Sequence, residues 1–439
     1  MTSSDPALTG PASIDTAAGF DWIEGGGVTT PAGFVAGGVY AGIKTYGADP
    51  RLDLGILATE GGASLVAAGV FTQSAVTGHS VTHNRRVLAA RSDVRALVCN
   101  SGNANTVTGT QGAGDCTRMA ALAAARLDEA GGPAEGVGAT GSDTGSDEVL
   151  VGSTGVIGRM LPMAKVEDAI AAVPLTRDGG YAFARAIMTT DTHEKQCALR
   201  FTVDGRTYHV GGCAKGSGMI HPDMATMYGF VTTDAPVDPA WLKSTWKAAV
   251  DRSFNMVDVD MDTSTSDMGI VLASGAAGGD AIEDGHAAAA PLAAAIEAVA
   301  TRLAKSIARD GEGATCLIEV TATGAATLQD ARIAARTVSA SPLMKTAVTG
   351  RDPNWGRVMM AAGRSGARMD QDRASVWIGP HCVLDSGQPT GADLKAVSEA
   401  MGGELVSIRV DLGVGEAQAT AWGCNLTHEY VSINADYTT

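Results

Sequence analysis

The sequence predicts a layered sandwich of the α/β or α+β class, on three observations. Short apolar runs bounded by turn residues alternate with helical patterns along the chain. Glycine is abundant, at 56 residues, while aromatics make up 5%, which suits tight turns and small-residue packing. The 439 residues, 45% of them hydrophobic, suffice for a packed core of two lobes.

The elements follow in order. Residues 1–20 are small and polar and read as a flexible tail. Ala96–Cys99, Val149–Gly152, Ala198–Val203, Met268–Ala273, Cys316–Ala322 and Val376–Gly379 read as strands. Residues 114–130, 240–252 and 289–309 read as helices. In the last of these Leu292, Ile296, Val299, Leu303 and Ile307 recur at spacings of three and four, a single buried stripe that Asp310-Gly311 ends. Residues 131–148, rich in glycine and acid, read as a loop or lid, and 385–395 as a turn-rich connection before a terminal helix and strands near 404–422.

Charge and cysteines exclude several classes. A net charge of −16 with a pI near 4.9 and no basic cluster speaks against nucleic acid, whose phosphates need grouped Lys and Arg. No apolar run of about 18 residues occurs, so no membrane span is expected. The first 20 residues carry no secretory pattern. Seven scattered cysteines, without a CxxC pair, fit free thiols in a reducing cytoplasm. His79 and His83 have His-x3-His spacing, but Gly78 and the intervening Ser-Val-Thr favour a turn or strand there, and no metal ligand set is read.

The most informative stretch is Lys-Gly-Ser-Gly-Met-Ile-His-Pro-Asp-Met-Ala-Thr-Met, 215–227. It places Thr226 after a small residue, Ala225, downstream of a glycine-broken loop. A threonine hydroxyl is a weak nucleophile until a base takes its proton, and cleaving the chain before it turns its own α-amine into that base. Such an amine titrates near pH 8, so a useful fraction is neutral at physiological pH. Gly216, Gly218 and Pro222 break regular structure upstream, as a strained scissile bond requires.

This run, continued by Gly229-Phe230 and Thr232-Thr233-Asp234, resembles the self-cleavage and nucleophile segment of the ornithine acetyltransferase family. The resemblance extends from about residue 25 to 439. It implies an αββα-type sandwich of the ornithine acetyltransferase/aminopeptidase kind, with a smaller C-terminal lobe at about 330–425. It implies self-cleavage at Ala225/Thr226 into an α chain, 21–225 after the tail, and a β chain, 226–439, assembled as an α2β2 heterotetramer. Thr226 would be acetylated by N-acetylornithine and deacylated by glutamate; acetyl-CoA is an additional candidate donor without a motif of its own. No cofactor and no metal are implied.

The family's site residues carry over by motif. Thr154 and Gly155, in Ser-Thr-Gly-Val-Ile-Gly after the strand at 149–152, match the oxyanion-hole threonine and glycine. Lys215 matches a substrate-binding lysine. In Met-Thr-Thr-Asp-Thr, 188–192, spacing to Lys215 places a substrate threonine at Thr192 ahead of Thr189 and Thr190. Glu312 matches a binding glutamate, expected to face the ornithine amine. Asn434 and Thr439 match a C-terminal pair. In isolation each of these would be an ordinary surface or tail residue; their joint order and spacing give them meaning. His221 is a candidate proton relay, set against a local structural role.

Other stretches carry the resemblance without chemistry. Asn100–Asn105 reads as a polar turn that hydrogen-bonds its own backbone, and 352–357 as structural, with Arg357 orienting a loop. Four departures stand out: Asp223 for asparagine, Ser266 for asparagine, Asn425 for aspartate, and a long 131–148 loop. They leave open a paralogue with another acyl donor or acceptor. Two further readings are an N-terminal-nucleophile amidase or aminopeptidase, in which water deacylates the enzyme, and a non-catalytic, unprocessed scaffold.

Overall fold

The computed structural model describes residues 20–44, 51–131, 145–221 and 227–436. Three sheets organise them. The first has seven strands in the order Asp21–Ile23, Lys195–Val203, Arg206–Lys215, Tyr228–Thr233, Met268–Ala273, Leu65–Phe71, Asp93–Val94. The second has four: Phe34–Val39, Leu54–Thr59, Ala96–Asn103, Val149–Val156.

Alternation along the strands decides what each face meets. On Met268–Ala273, Met268, Ile270 and Leu272 join Leu57, Leu97 and Leu150 of the second sheet in one core. Val271 and Ala273 point the other way, onto the helices Pro239–Arg252 and Ala289–Arg309. The far face of the second sheet packs Ile56, Val98 and Val151 against Met119 and Leu127 of Gly109–Gly131 and against Ile170 of Met163–Ala172. The layers therefore run helix, sheet, sheet, helix, the αββα sandwich.

The stripe read at 289–309 is buried on both sides. Leu292, Ile296, Val299, Leu303 and Ile307 are all at most 1% exposed. The helix lies between the first sheet and a third, seven-stranded one, ordered Val257–Asp258, Ala417–Cys424, Leu317–Ala325, Leu405–Asp411, Ser375–Ile378, His381–Asp385, Gln388–Pro389. This third sheet, with helices such as Leu328–Ser339 and Trp355–Gly363, forms the C-terminal lobe. It takes in Leu317–Ala325, which precedes residue 330.

One local reading is corrected. His79–Ala90 is an α-helix, not a turn or strand. Gly78 supplies its extended N-cap, and the helix covers the open edge of Val149–Val156. There His83 donates its Nε2 hydrogen to Val149 O at 3.0 Å. Asn84 donates to Val151 O and accepts from Val151 N, both at 2.8 Å. These side chains satisfy edge groups that would otherwise template another strand. No helix among the described residues is long and apolar enough to cross a membrane.

Candidate active site

The parallel pairing of Ala96–Asn103 with Val149–Val156 sets Thr154 opposite Ser101 and Gly155 opposite Gly102. The strand continues through Val156, so Thr154 and Gly155 sit at its end and not in a following loop. The Asn100–Asn103 run, read as a turn, is likewise the end of its strand. It does bond its own backbone, through Asn100 Nδ2 to Asn103 O at 2.9 Å. Gly155 has φ +124°, and a Cβ there would lie 2.8 Å from Gly102 Cα. Only glycine fits this approach. Thr154 is 5% exposed.

Lys215 ends its strand directly opposite Tyr228. Its Nζ lies 5.4 Å from the Tyr228 ring centroid. Burial pushes the ammonium below its usual value, against the attraction of Asp191 and then Asp267. Burial also pushes the Asp267 carboxyl well up, with Lys215 opposing. Residues 216–227 connect these two antiparallel strands; Ala225, Thr226 and the departure Asp223 lie outside the described residues, as does Thr439. The chain resumes at Met227, 1% exposed in the core.

One cleft gathers Thr154, Gly155, Lys215, Glu312 and Asn434. Glu312 is fixed by its backbone N–H, which donates to Ser217 O at 2.8 Å. Its carboxylate accepts Asn434 Nδ2 at 2.8 Å. It presses so closely on Gly218 that a Cβ there would meet both carboxylate oxygens at 2.5 Å. Asn434 and Tyr430 stand one turn apart on the helix His428–Asp436. Tyr430 donates its hydroxyl to Asp260 Oδ2 at 3.3 Å, and Asp260 also accepts the amides of Met219 at 2.6 Å and Ile220 at 2.8 Å. Burial pushes the Asp260 carboxyl up and, with Asp260 beside it, the Tyr430 hydroxyl too. Tyr430 and Asp260 line the cleft and were missed from sequence. The i, i+4 spacing of Tyr430 to Asn434 was the available signal.

Thr192 is placed differently from its reading. It is exposed, and its hydroxyl donates to Asp310 while its amide reaches Asp310 Oδ2 at 3.1 Å. Of the threonines in 188–192, it is Thr189 and Thr190 that line the cleft, the latter within 2.6 Å of Ser217 Oγ. The reason is a buried ion triad the sequence did not announce. Lys195 Nζ lies 2.6 Å from both Asp191 and Asp310. Asp191 in turn accepts Thr189 N at 2.9 Å and Gly216 N at 2.7 Å. The triad ties the 189–192 loop to the loop after Lys215 and to the end of helix Ala289–Arg309.

His221 Nδ1 lies 2.8 Å from Asp258, which Lys345 Nζ also meets at 2.8 Å. Ser266 lines the cleft beside Thr265. Asn425 is buried, accepting Thr315 N at 2.8 Å and donating to Thr315 Oγ1 at 2.9 Å; the amide suits a place that needs both roles. Arg357 donates to Leu343 O at 2.7 Å. His83 is committed to Val149, and among the described residues no group of three His, Cys, Asp or Glu is arranged to hold a metal. Chemically, the cleft offers a cation, a carboxylate and a glycine amide at a strand end, the parts that binding and acylating a zwitterion require.

The model of the ArgJ family matches residues 35–439. The arginine biosynthesis bifunctional protein ArgJ of Symbiobacterium thermophilum is 49% identical, covering 95% of this chain and 100% of the relative. Its namesake from Dehalococcoides mccartyi is 44% identical, covering 95% and 99%. A crystal structure of the Bacillus halodurans protein of that name is 43% identical, covers 48% of this chain and 100% of its own, and has a TM-score of 0.48. A family match of this length, with relatives this similar from end to end, is decisive: the chain belongs to the ArgJ family.

Proposed function

We propose that the chain is a glutamate N-acetyltransferase of arginine biosynthesis. It moves an acetyl group from N2-acetylornithine to glutamate through an acetyl-Thr226 intermediate. Processing comes first: the Thr226 hydroxyl attacks the Ala225 carbonyl, the peptide nitrogen leaves as the Thr226 amine, and water hydrolyses the resulting ester. The freed amine then takes the hydroxyl proton in each acylation. Thr154 and the Gly155 amide receive the developing oxyanion, a role worth roughly 3–4 kcal/mol per donor. Lys215 holds the substrate carboxylate, and Glu312, steadied by Asn434, holds the ornithine amine. Thr190 supplies a hydroxyl at the cleft, with Thr192 acting behind it through Asp310. Thr439 completes the C-terminal side. Acetyl-CoA remains a candidate second donor.

The observation that carries this reading is the shared cleft. Thr154, Gly155 and Lys215 precede the proposed cut; Glu312 and Asn434 follow it. The first sheet supports the same view. Tyr228–Thr233 and Met268–Ala273 are flanked on both sides by strands from before residue 225. Cleaved fragments therefore stay together, consistent with an α2β2 assembly, which we place in the cytoplasm with other amino-acid biosynthesis. Lys215 and Glu312 favour transfer between charged amino acids over hydrolysis.

The test is intact mass under denaturing conditions, before and after N-acetylornithine. Two fragments meeting at Ala225/Thr226, with an acetyl mass on the second, are expected. Thr226→Ala should stay a single chain without transfer activity; a cleaved, active Thr226→Ala protein refutes the mechanism.

A further inference from the structure

A fully buried carboxylate, Asp53, lies in the strand row that ends at Thr154. In the second sheet Leu54 stands opposite Asn100. The ladder runs one step further, with Ser101 N donating to Asp53 O at 2.9 Å. Ser101 in turn stands opposite Thr154. Asp53, Ser101 and Thr154 therefore form one row across three strands, each at most 5% exposed.

The rest of Asp53 holds the segment 39–44. Its N–H donates to Val39 O at 3.0 Å. Its carboxylate accepts the amides of Ala41 at 2.5 Å, Ile43 at 2.7 Å and Lys44 at 3.0 Å. Hydrogen bonds to a charged acceptor are roughly twice as strong as neutral ones, so three of them fix this segment firmly. The segment presses on Gly102, where a Cβ would lie 3.1 Å from Ile43 Cγ2 and 3.1 Å from Lys44 N. Gly102, at φ +111°, backs Gly155, where a Cβ would lie 2.4 Å from the Gly102 carbonyl carbon. Backbones packed this closely pass a shift on instead of absorbing it. Asp53 thus reaches Thr154 along the row and Gly155 through the clasped segment.

A negative charge in this place opposes an oxyanion unless it is offset. The three amides offset it, and so does Lys44, 7% exposed, whose Nζ donates to Leu52 O at 3.0 Å. Burial pushes the Lys44 ammonium down to about 8, against the attraction of Asp53 and then Asp191. Asparagine at position 53 keeps the volume but turns an NH2 group toward amide hydrogens, so it breaks the clasp without leaving a cavity.

We propose that Asp53 is a positioning residue for acyl transfer: it holds the segment 41–44 against Gly102 and so aims Thr154 and the Gly155 amide at the developing oxyanion. The chemistry rests on the acetyl-transfer reading; the clasp is a claim about the backbone alone.

Two measurements on Asp53→Asn separate these. Hydrogen exchange read by mass spectrometry should quicken about tenfold or more in peptides covering 39–44 and 99–104 and stay unchanged over 405–411. Unchanged exchange in the first two overturns the clasp, whatever the substrate. In transfer from N-acetylornithine to glutamate, normalised to the fraction of enzyme that takes up an acetyl mass, kcat should fall about tenfold or more, short of the roughly 10²–10³ lost with a whole donor. Both KM values should hold within about twofold. A raised KM with kcat kept, or a kcat restored by the normalisation, overturns the positioning role. Asp411→Asn disturbs another carboxylate clasp, in the third sheet, where Asp411 accepts Thr323 Oγ1 at 2.8 Å and Gly413 N at 2.9 Å. It should leave kcat unchanged, and an equal loss there also overturns the role. If Asp53→Asn does not fold, Gly42→Ala perturbs the same segment: Gly42 has φ +74°, and a Cβ there meets nothing closer than 3.4 Å. Alanine strains the segment without a clash and should lower kcat about threefold with KM held; an unchanged kcat overturns the role. A wild-type protein without transfer removes the acetyl-transfer reading and the positioning role with it, and leaves the clasp to the exchange result.

Discussion

Replacing Lys195 by methionine should cost about 4 kcal/mol of stability and loosen the cleft. Lys195 is fully buried, with both carboxylate partners 4% exposed or less. Removing one partner of a buried pair costs about 3–5 kcal/mol, because the charge left behind is stranded without water. The middle of that range applies. Asp191 keeps two backbone amides and Asp310 keeps one, and these partly solvate the orphaned charges. The loss is a large share of the roughly 5–15 kcal/mol that holds a protein folded.

The pH dependence gives this prediction its sign. Burial would raise Asp191, but Lys195 and then Lys215 outweigh it and hold the carboxyl below the ordinary range. Burial would likewise raise Asp310, but His193 and then Lys195 hold it down. Burial would lower Lys195, but Asp191 and Asp310 hold it above its ordinary value. The carboxylates' contribution is therefore complete above about pH 3.9 and lost as the pH falls through their depressed folded values. The lysine's contribution is complete below about pH 10.4 and lost as the pH rises through its raised value. In Lys195→Met, burial acts on the carboxyls without that counterion and moves their folded pKa values upward. Acidification then neutralises them, and the gap to wild type narrows. Urea unfolding of both proteins from pH 8 to pH 4 reads this directly. A loss under about 1 kcal/mol at neutral pH, or a gap that widens on acidification, refutes the reasoning.

Other outcomes follow from the cleft. Thr154→Val should lower kcat by about 10²–10³ with little change in KM; a KM effect alone would make Thr154 a binding residue. Gly155→Ala combines a positive φ with a steric conflict at Gly102 and should lose folded, soluble protein or, if folded, transfer activity; a fully active variant would remove Gly155 from the oxyanion site. Glu312→Gln keeps the shape and the Asn434 contact but removes the charge, so KM for N-acetylornithine should rise about tenfold with self-cleavage intact. Equal loss of cleavage would make Glu312 structural.

Some of this was legible in the chain because it depends on neighbours in sequence. The stripe at 289–309 follows from helical periodicity, which depends on the order of residues within one helix. The motif runs around Thr154, Lys215, Glu312 and Asn434 marked residues that the fold then gathers into one cleft. What the sequence could not decide depends on partners far along the chain. His79–Ala90 carries β-branched residues and follows a glycine, yet it is helical, because its His83 and Asn84 satisfy the edge of Val149–Val156. Tertiary contact there overrides local preference. Thr192 has the spacing of a substrate contact, but Asp310, 118 positions away, takes its hydroxyl. Periodicity and covalent order are local and survive in any fold; the burial of Lys195 between Asp191 and Asp310, and the alignment of Asp53 with Ser101 and Thr154, exist only once distant segments exclude water from each other.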